Sequence, residues 1–416
     1  MIYYELGMEL NKKKLRQIKI LFIHNKCLWY RLPFFNRISK EHDIEFLFTD
    51  EKKVEGLEAK YEIIKRWGFP FISVAFGLIP RLIKKNYDIV IFPPLDSIGE
   101  LIDNIFCYLI ARFRAKPYIL WNGKWKSKSQ KESIWKKLFK TLIQKIFIKH
   151  LYNNSASIMV YGSKAEEYVK SICGRALFQK IFKIYNTMID VGKIEEKSCD
   201  RSKTFYKIRR NLGIKKENKI VLYVGRLIKR KGISYLIRAV YRILKERNDV
   251  ILIIAGDEYF GRKKDYCGEE LRALCKHLNI QDYVYFVGAV KPEDVKYYYL
   301  MSNVLVLPSV TMESNEPWGQ VIGEAMAMGR PIVTTNAVGA SYDLIKNGVN
   351  GFVVPEKNDW ALYKAIKIIL ERPDLEKKMG LISKNIIQKK FTCFHALRRF
   401  QKMLKFVLKN RENFIF

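Results

Sequence analysis

Short runs of apolar residues alternate with longer stretches in which apolar positions recur every three to four residues, and the alternation appears twice along the chain. Runs of this kind read as strands buried on both faces, and the 3.6-residue periodicity between them reads as covering helices, the pattern of parallel α/β units. The first series starts at "IKILFIHN" (18–25) and passes through "WYRLPFFNRISK" into a helix. It continues with "HDIEFLFTD" (42–50), "YDIVIFPP" (87–94), "KPYILWNG" (116–123) and "ASIMVYGS" (156–163). After "KIYNTMID" (183–190) the segment 191–217 is polar and charged, with little apolar periodicity, and reads as a linker. The second series runs through "KIVLYVG" (219–225), a helix "GISYLIRAVYRILKER" (232–247), and strands "DVILIIAGD" (249–257), "YVYFVGAV" (283–290), "NVLVLPS" (303–309), "RPIVTT" (330–335) and "GFVVP" (351–355). The expected architecture is two Rossmann-like domains, 1–190 and 218–390, with a linker at 191–217 and a terminal helix at 391–416 that packs back on the first domain. Two such halves leave a cleft, and in sheets of this kind ligands sit beyond the carboxyl ends of the strands.

A chain of 416 residues, 49% hydrophobic and 13% aromatic, can bury a large core, which excludes a disordered protein. Its 76 basic and 42 acidic residues give a formal charge of +34 and point to an anionic partner: nucleic acid, an acidic membrane surface or a phosphorylated ligand. The charge is concentrated in 112–149, where Glu132 is the single acid. Within it, "SIWKKLFKTLIQKIFIKHLY" (133–152) places apolar residues at 134, 135, 138, 139, 142, 143, 146 and 147 with lysines between them, a basic amphipathic helix. It reads either as a membrane-docking helix or as an ordinary helix with a solvated basic face. The aromatics form no RNA-binding signature or base-stacking platform. Seven cysteines without a CxxC pair or zinc spacing read as reduced thiols in a cytosolic setting, with no structural metal expected. The N-terminal apolar stretch is too short for a span and lacks a cleavage site, so the expected location is cytoplasmic, peripheral on the inner face of the membrane.

In "LYVGRLIKRKGISYL" (222–236) a strand delivers Gly225 and Arg226, and Lys231 and Gly232 open a helix. A planar guanidinium, a point charge and free helix amides at one strand end suit a diphosphate. The stretch lacks the Gly-Lys-Ser/Thr of a Walker loop, and a solvated basic turn is the competing reading. In "EPWGQVIGEAMAMGRPIV" (316–333) Glu316 and Glu324 stand eight positions apart. Eight helical steps would separate them by about 12 Å of rise and roughly 80° of rotation, so one helical face does not present both. Pro317 and Gly319 favour a loop at Glu316 and a helix from about Gln320, burying Val321, Ile322, Ala325 and Met326. Carboxylates accept hydrogen bonds from vicinal hydroxyls, and two of them a ligand's length apart suit two polyol rings joined by a diphosphate, the shape of a nucleotide sugar. Taken singly, Glu324 also fits a surface helix acid and Glu316 a helix-start acid.

Together "GRLIKRKG" (225–232), the Glu-x7-Glu segment and "VGASYDLIKNGVNGFVVP" (338–355) resemble, in order and separation, the retaining glycosyltransferases of family GT4, which have the GT-B fold. The first domain resembles the family more weakly, through "WYRLPFFNRIS" (29–39) and "YNTMID" (185–190). The resemblance implies that Arg226 and Lys231, beside Gly225, hold the donor diphosphate, and that Glu316 contacts the transferred sugar. It further implies that Glu324 binds the ribose and that the amides around Trp318, Gly319 and Gln320 cradle phosphate and sugar. Glu316, Arg226 and Lys231 are then the catalytic candidates. No metal or other cofactor is implied, and the expected substrates are a UDP- or GDP-sugar and a lipid-linked or cell-surface glycan. Many relatives carry a histidine in the first domain near the reacting sugar. Residues 43–149 contain none, and Trp121 and Asn122 of "ILWNGKWK" occupy roughly that place. His24, Asn25, Lys26 and Arg31 follow the first strand and are expected near the acceptor, although a buried histidine and a surface basic loop fit equally well. A sugar-nucleotide epimerase of the same fold, or a non-enzymatic nucleic-acid-binding protein, are the alternatives.

Overall fold

The computed structural model describes residues 18–51, 53–69, 72–95, 97–125, 144–186, 201–257, 266–312 and 315–411. They fall into two units, the first drawn from Met1–Trp125, Glu132–Met188 and Cys393–Phe416, the second from Ile189–Thr392.

The first unit is built on a seven-stranded parallel sheet: β1 (Lys19–His24), β2 (Asp43–Phe48), β3 (Lys60–Ile63), β4 (Ile89–Ile91), β5 (Tyr118–Asn122), β6 (Ser157–Val160) and β7 (Ile181–Lys183), in the order β3-β2-β1-β4-β5-β6-β7. The side chains of β1 alternate between two packed layers, which is why the strand reads as a continuous apolar run. Leu21 and Ile23 join a core with Leu78, Leu82, Cys107 and Leu151, contributed by α2 (Leu78–Lys84), α3 (Ile98–Phe113) and the helix Lys149–Asn154. On the opposite face Phe22 packs on Phe46, ring centroids 5.2 Å apart, and on Phe35 of the helix α1 (Leu32–Glu41). Sequence periodicity misses β3 and β7. Both are edge strands, one polar ("KYEI") and one of three residues, and an edge strand need not be apolar on both faces.

The second unit carries a six-stranded parallel sheet of β8 (Lys219–Val224), β9 (Val250–Ala255), β10 (Val284–Gly288), β11 (Val304–Leu307), β12 (Ile332–Thr335) and β13 (Gly351–Val354), in the order β10-β9-β8-β11-β12-β13. Chain order runs outward from β8 in one direction and returns from β11 in the other. The carboxyl ends of β8 and β11 therefore flank a topological switch point, where a doubly wound sheet leaves room for a ligand. Helices α4 (Ile233–Leu244), α5 (Val295–Met301), α6 (Gln320–Ala327) and α7 (Pro373–Lys390) belong to this unit.

The segment expected to be a linker contains a helix, Arg201–Asn211, whose partly buried Phe205 and Ile208 are spaced three apart, too sparse a pattern to register among its charges. The terminal helix α8 (Cys393–Lys409) belongs to the first unit: Phe400 meets Phe34 with ring centroids 5.8 Å apart, and the Cys393 thiol donates to the Pro33 carbonyl at 3.2 Å. Among the described residues no helix is long and apolar enough to cross a membrane.

Candidate active site

The loop after β8 is shaped by its glycines. At Gly232 φ is +66°, and a Cβ there would lie 2.1 Å from the carbonyl oxygen of Pro308, so only glycine lets this loop close onto the one after β11. Backbone bonds fasten the two loops, Val310 N–H donating to the Arg230 carbonyl at 2.9 Å. The result brings a short 3-10 turn, Lys229–Lys231, under the start of the second loop.

Glu316 sits on that second loop, in an extended stretch. It pairs in parallel with Val338, donates its N–H to the Ala337 carbonyl (3.2 Å) and accepts from Gly339 N–H (3.0 Å), while Trp318 accepts from Ala340 N–H (2.9 Å). The two motifs at 316–320 and 338–340 are thus one backbone structure. Gly319, with φ +89° and room for no Cβ, which would lie 2.8 Å from Val338 and 2.9 Å from Leu307, turns the chain into α6, where Glu324 lies within the helix. Of the residues expected in its buried face, Ile322, Ala325 and Met326 are buried and Val321 is partly so. Trp318 is buried beneath the turn, and Oε1 of Gln320 is buried without a hydrogen-bond partner among the described residues.

Three cations surround Glu316. Lys231 Nζ donates to Oε2 at 2.7 Å, Arg230 donates to the same oxygen at 3.3 Å and to the Asn315 carbonyl at 3.0 Å, and Arg226 contributes its field. Burial pushes the Glu316 carboxyl up, but the combined charge of Lys231, Arg230 and Arg226 outweighs it and holds the group below the usual carboxylate range. Lys231 is only 8% exposed, and burial draws its ammonium below the usual lysine range despite the Glu316 charge. Arg226 is exposed, its carbonyl fixed by the buried Tyr223 hydroxyl at 2.9 Å. Glu324 is handled differently: the Tyr299 hydroxyl of α5 donates to its Oε2 at 2.6 Å, and burial raises the carboxyl to about 7. A carboxylate, three cations and a glycine-turned helix start thus collect at the switch point, with a second carboxylate one helical stretch further on.

Residues 205–385 match the family described as glycosyl transferases group 1. That match covers less than half of the chain, and it holds the whole Glu316–Glu324 segment and the loop with Arg226 and Lys231. It is similar to an uncharacterized glycosyltransferase of Methanocaldococcus jannaschii, 43% identical over 150 residues that cover 36% of this chain and 35% of that protein. It is also similar to a lipopolysaccharide 1,2-N-acetylglucosaminetransferase of Salmonella typhimurium, 23% identical over 48% of this chain and 51% of that one. The chain therefore spans between about a third and a half of the length of these curated relatives. Among solved structures, HepE of Anabaena in complex with UDP and glucose superposes with a TM-score of 0.73, covering 94% of this chain and 100% of that one at 21% identity. The likeness gives the fold: α/β, of the GT-B type.

The residues expected near an acceptor gather at the first unit's own switch point, after β1. Asn25 donates to Glu100 of α3 at 3.1 Å, and Lys26 pairs with Asp50 at 3.3 Å on the surface. Arg31 is buried, donating to His24 (2.7 Å) and to the Tyr161 hydroxyl (2.8 Å), with its guanidinium 5.5 Å from the Trp121 ring. Burial and then the Arg31 charge hold His24 well below the usual histidine range, so its ring is the neutral acceptor in this pair. Trp121, 2% exposed, packs on Phe22 and His24, and Asn122 closes a turn with Lys124 through its side-chain amide (2.9 Å). His24, Arg31, Trp121 and Asn122 are therefore embedded in the fold, whereas Asn25 is half-buried and Lys26 exposed. Most of the basic stretch 133–152 lies outside the described residues. Among the described residues no group of three His, Cys, Asp or Glu could hold a metal.

Sequence reasoning missed Arg230 and Tyr299. Arg230 was hidden inside "KRK", which reads as surface charge. Tyr299 lies in "VKYYYLM" on another helix, and only the fold brings it to Glu324.

Proposed function

We propose that the chain is a retaining glycosyltransferase that moves a sugar from a nucleotide-diphosphate sugar to a lipid-linked or cell-surface glycan. The observation that carries this reading is the Lys231–Glu316–Arg230 cluster at the switch point of the second sheet, with Glu324 beyond it on α6. The solved HepE complex with UDP and glucose, and the lipopolysaccharide-directed relative, support a nucleotide sugar as donor and a glycan as acceptor. Arg226 and Lys231 meet the diphosphate, Glu316 the sugar hydroxyls and Glu324 the ribose. The amides at Trp318, Gly319 and Gln320, and the backbone at Gly225, complete the donor contacts. As the glycosidic bond breaks, charge develops on the departing nucleoside diphosphate, and fixed cations stabilise it more in the transition state than in the ground state. The reaction proceeds without a bound metal, by attack on the face the leaving group departs from. Of the residues expected at the acceptor, Lys26 is placed to meet a phosphate, with the half-buried Asn25 beside it, and the buried Arg31, Trp121 and Asn122 hold that strand end in shape rather than touch the acceptor.

Peripheral contact with an anionic membrane on its cytoplasmic face, through the basic region 112–149, belongs to the same reading. Its support is the surface that begins that region. Helices α2 and α3 run side by side, joined by the Phe76–Phe106 ring contact at 6.2 Å and by Arg114, which donates to the Leu82 and Lys85 carbonyls at 2.7 Å. Outward they present Phe76, Ile83, Leu109 and Phe113, the last 90% exposed, with Lys84 and Arg112 beside them. Helix α2 carries no acid and the acids of α3, Glu100 and Asp103, are buried, so among the described residues these two helices expose apolar groups and cations on this face without a carboxylate.

The deciding experiment is calorimetric and thermal-shift titration with UDP-, GDP-, ADP- and dTDP-sugars, without metal, on wild type and Glu324→Ala. Saturable binding of one donor class, weakened by the substitution, is expected. Failure of every donor to bind would overturn the proposal.

A further inference from the structure

The two carboxylates of the site are held by opposite means. Glu316 is neutralised by cations, whereas Glu324, half-buried on α6, has a hydrogen bond from the neutral phenol of Tyr299. Tyr299 is 2% exposed, on a different helix, and a donor–acceptor distance of 2.6 Å is that of a strong bond to an ionised acceptor. The phenol occupies one direction at Oε2 and leaves Oε1 and the remaining lone pair of Oε2 to accept from other groups. We propose that Tyr299 is a positioning residue for the donor site, fixing the Glu324 carboxylate so that it presents paired acceptors to the 2′- and 3′-hydroxyls of the nucleotide ribose. This rests on the reading of Glu324 as the ribose residue.

The arrangement has a signature that a packing role lacks. Burial raises the Glu324 carboxyl to about 7, and the Tyr299 hydrogen bond works against that rise. The strands beside α6, β11 ("VLVL") and β12 ("IVTT"), bring no ionisable side chain. From α7, Glu376 is engaged by Asn303 at 3.0 Å and acts on Arg330, which itself donates to the Ser302 carbonyl at 2.8 Å. From α5 the group that faces Glu324 is Tyr299. The ionised carboxylate is the better acceptor for a diol, so nucleotide affinity should rise as pH passes upward through about 7. Without the phenol hydroxyl the rise should move to higher pH.

The test is isothermal titration of wild type, Tyr299→Phe and Glu324→Gln between pH 6 and 8.5 with UDP, GDP and ADP, following whichever binds most tightly together with its 2′- and 3′-deoxy forms. In Tyr299→Phe, affinity at pH 7 is expected to fall roughly tenfold, the scale of one hydrogen bond to a charged group, and the midpoint of the pH dependence to shift upward. The deoxy nucleotides should show little of either effect. If Glu324→Gln binds the ribonucleotide as wild type does, or if none of the three nucleotides binds, the ribose reading itself fails and this inference with it. If Glu324→Gln weakens binding while Tyr299→Phe changes neither affinity nor midpoint, the ribose reading stands and the role assigned to Tyr299 is wrong.

Discussion

The ammonium of Lys231 lies 2.7 Å from Oε2 of Glu316, so the carboxylate proposed to meet the sugar is held by the cation proposed to meet the diphosphate. The pair solves a folding problem as well as a chemical one. A buried lysine or a buried glutamate alone would be strongly penalised, and together with Arg230 they offset each other's desolvation. If Lys231 meets the donor diphosphate as proposed, an arriving diphosphate would compete with Glu316 for it and free the carboxylate to turn to a hydroxyl. On that proposal, donor binding and the readiness of the sugar-binding acid would be coupled through one ion pair.

Arg226 and Lys231 should therefore behave differently when replaced, although both are assigned to the diphosphate. Arg226 is exposed, so Arg226→Ala should leave the melting temperature nearly unchanged while lowering kcat/KM on the order of 100-fold, the scale of one lost transition-state donor. Lys231→Ala removes the nearest of the cations that hold the Glu316 carboxylate and should cost about 3 kcal/mol of stability by urea unfolding. The double substitution Lys231→Met with Glu316→Leu should recover part of that loss. Equal stability of both single variants would mean that the ion pair does not hold this loop.

Glu324 makes the pH dependence of stability testable. Its carboxyl titrates near 7 in the folded protein and near the ordinary glutamate value in the unfolded chain, so the folded state binds the extra proton between those pH values. Stability from this group is greatest at low pH and is lost as pH rises through about 7. Glu324→Gln should then raise stability by on the order of 1–3 kcal/mol at pH 8 and leave it little changed at pH 4.5. Thermal melts of the two proteins at both pH values measure it, and an identical difference at the two would contradict the burial argument.

The fold was readable because the central strands β1, β2, β4 to β6, β8, β9, β11 and β12 coincide with apolar runs, and so do the edge strands β10 and β13 of the second sheet. What escaped were elements whose sequence carries little apolar signal, the edge strands β3 and β7 and the charged helix Arg201–Asn211. In the site, the sequence places Glu316 on a loop and Glu324 on a helix because Pro317 and Gly319 interrupt the chain between them. It does not reveal that Glu316 is already ion-paired, or that Tyr299 meets Glu324, since those contacts span 85 and 25 residues. Nor does it tell that Trp121 and Arg31 are buried. Aromatic and basic residues at a strand end look alike whether they face a ligand or each other.

Gly232 and Gly213 provide a matched pair for the loop that carries Lys231. Both have φ near +65°, at +66° and +64°, but a Cβ at Gly232 meets the Pro308 carbonyl at 2.1 Å whereas one at Gly213 meets nothing within 4 Å. Gly213→Ala should cost about 1 kcal/mol, the price of a left-handed alanine. Gly232→Ala should cost at least about 1 kcal/mol more and weaken nucleotide binding, because the loops after β8 and β11 must part to make room. Equal losses in urea unfolding would show that the two loops yield without consequence.

The outward face of α2 and α3 can be tested without disturbing the core, since Phe113 is 90% and Leu109 55% exposed. The two residues are one helical turn apart, and Arg112 lies between them in sequence, which lets apolar side chains enter the interface while the cation meets headgroups. Leu109→Glu with Phe113→Glu should reduce sedimentation with phosphatidylglycerol vesicles by about tenfold or more, from lost apolar burial and added repulsion. The melting temperature should stay where it is, and wild-type binding should weaken as salt is raised. Unchanged vesicle binding would remove this face from the proposed membrane contact. A concentration-dependent dimer in light scattering that the double variant abolishes would identify the face instead as a contact between copies of the chain.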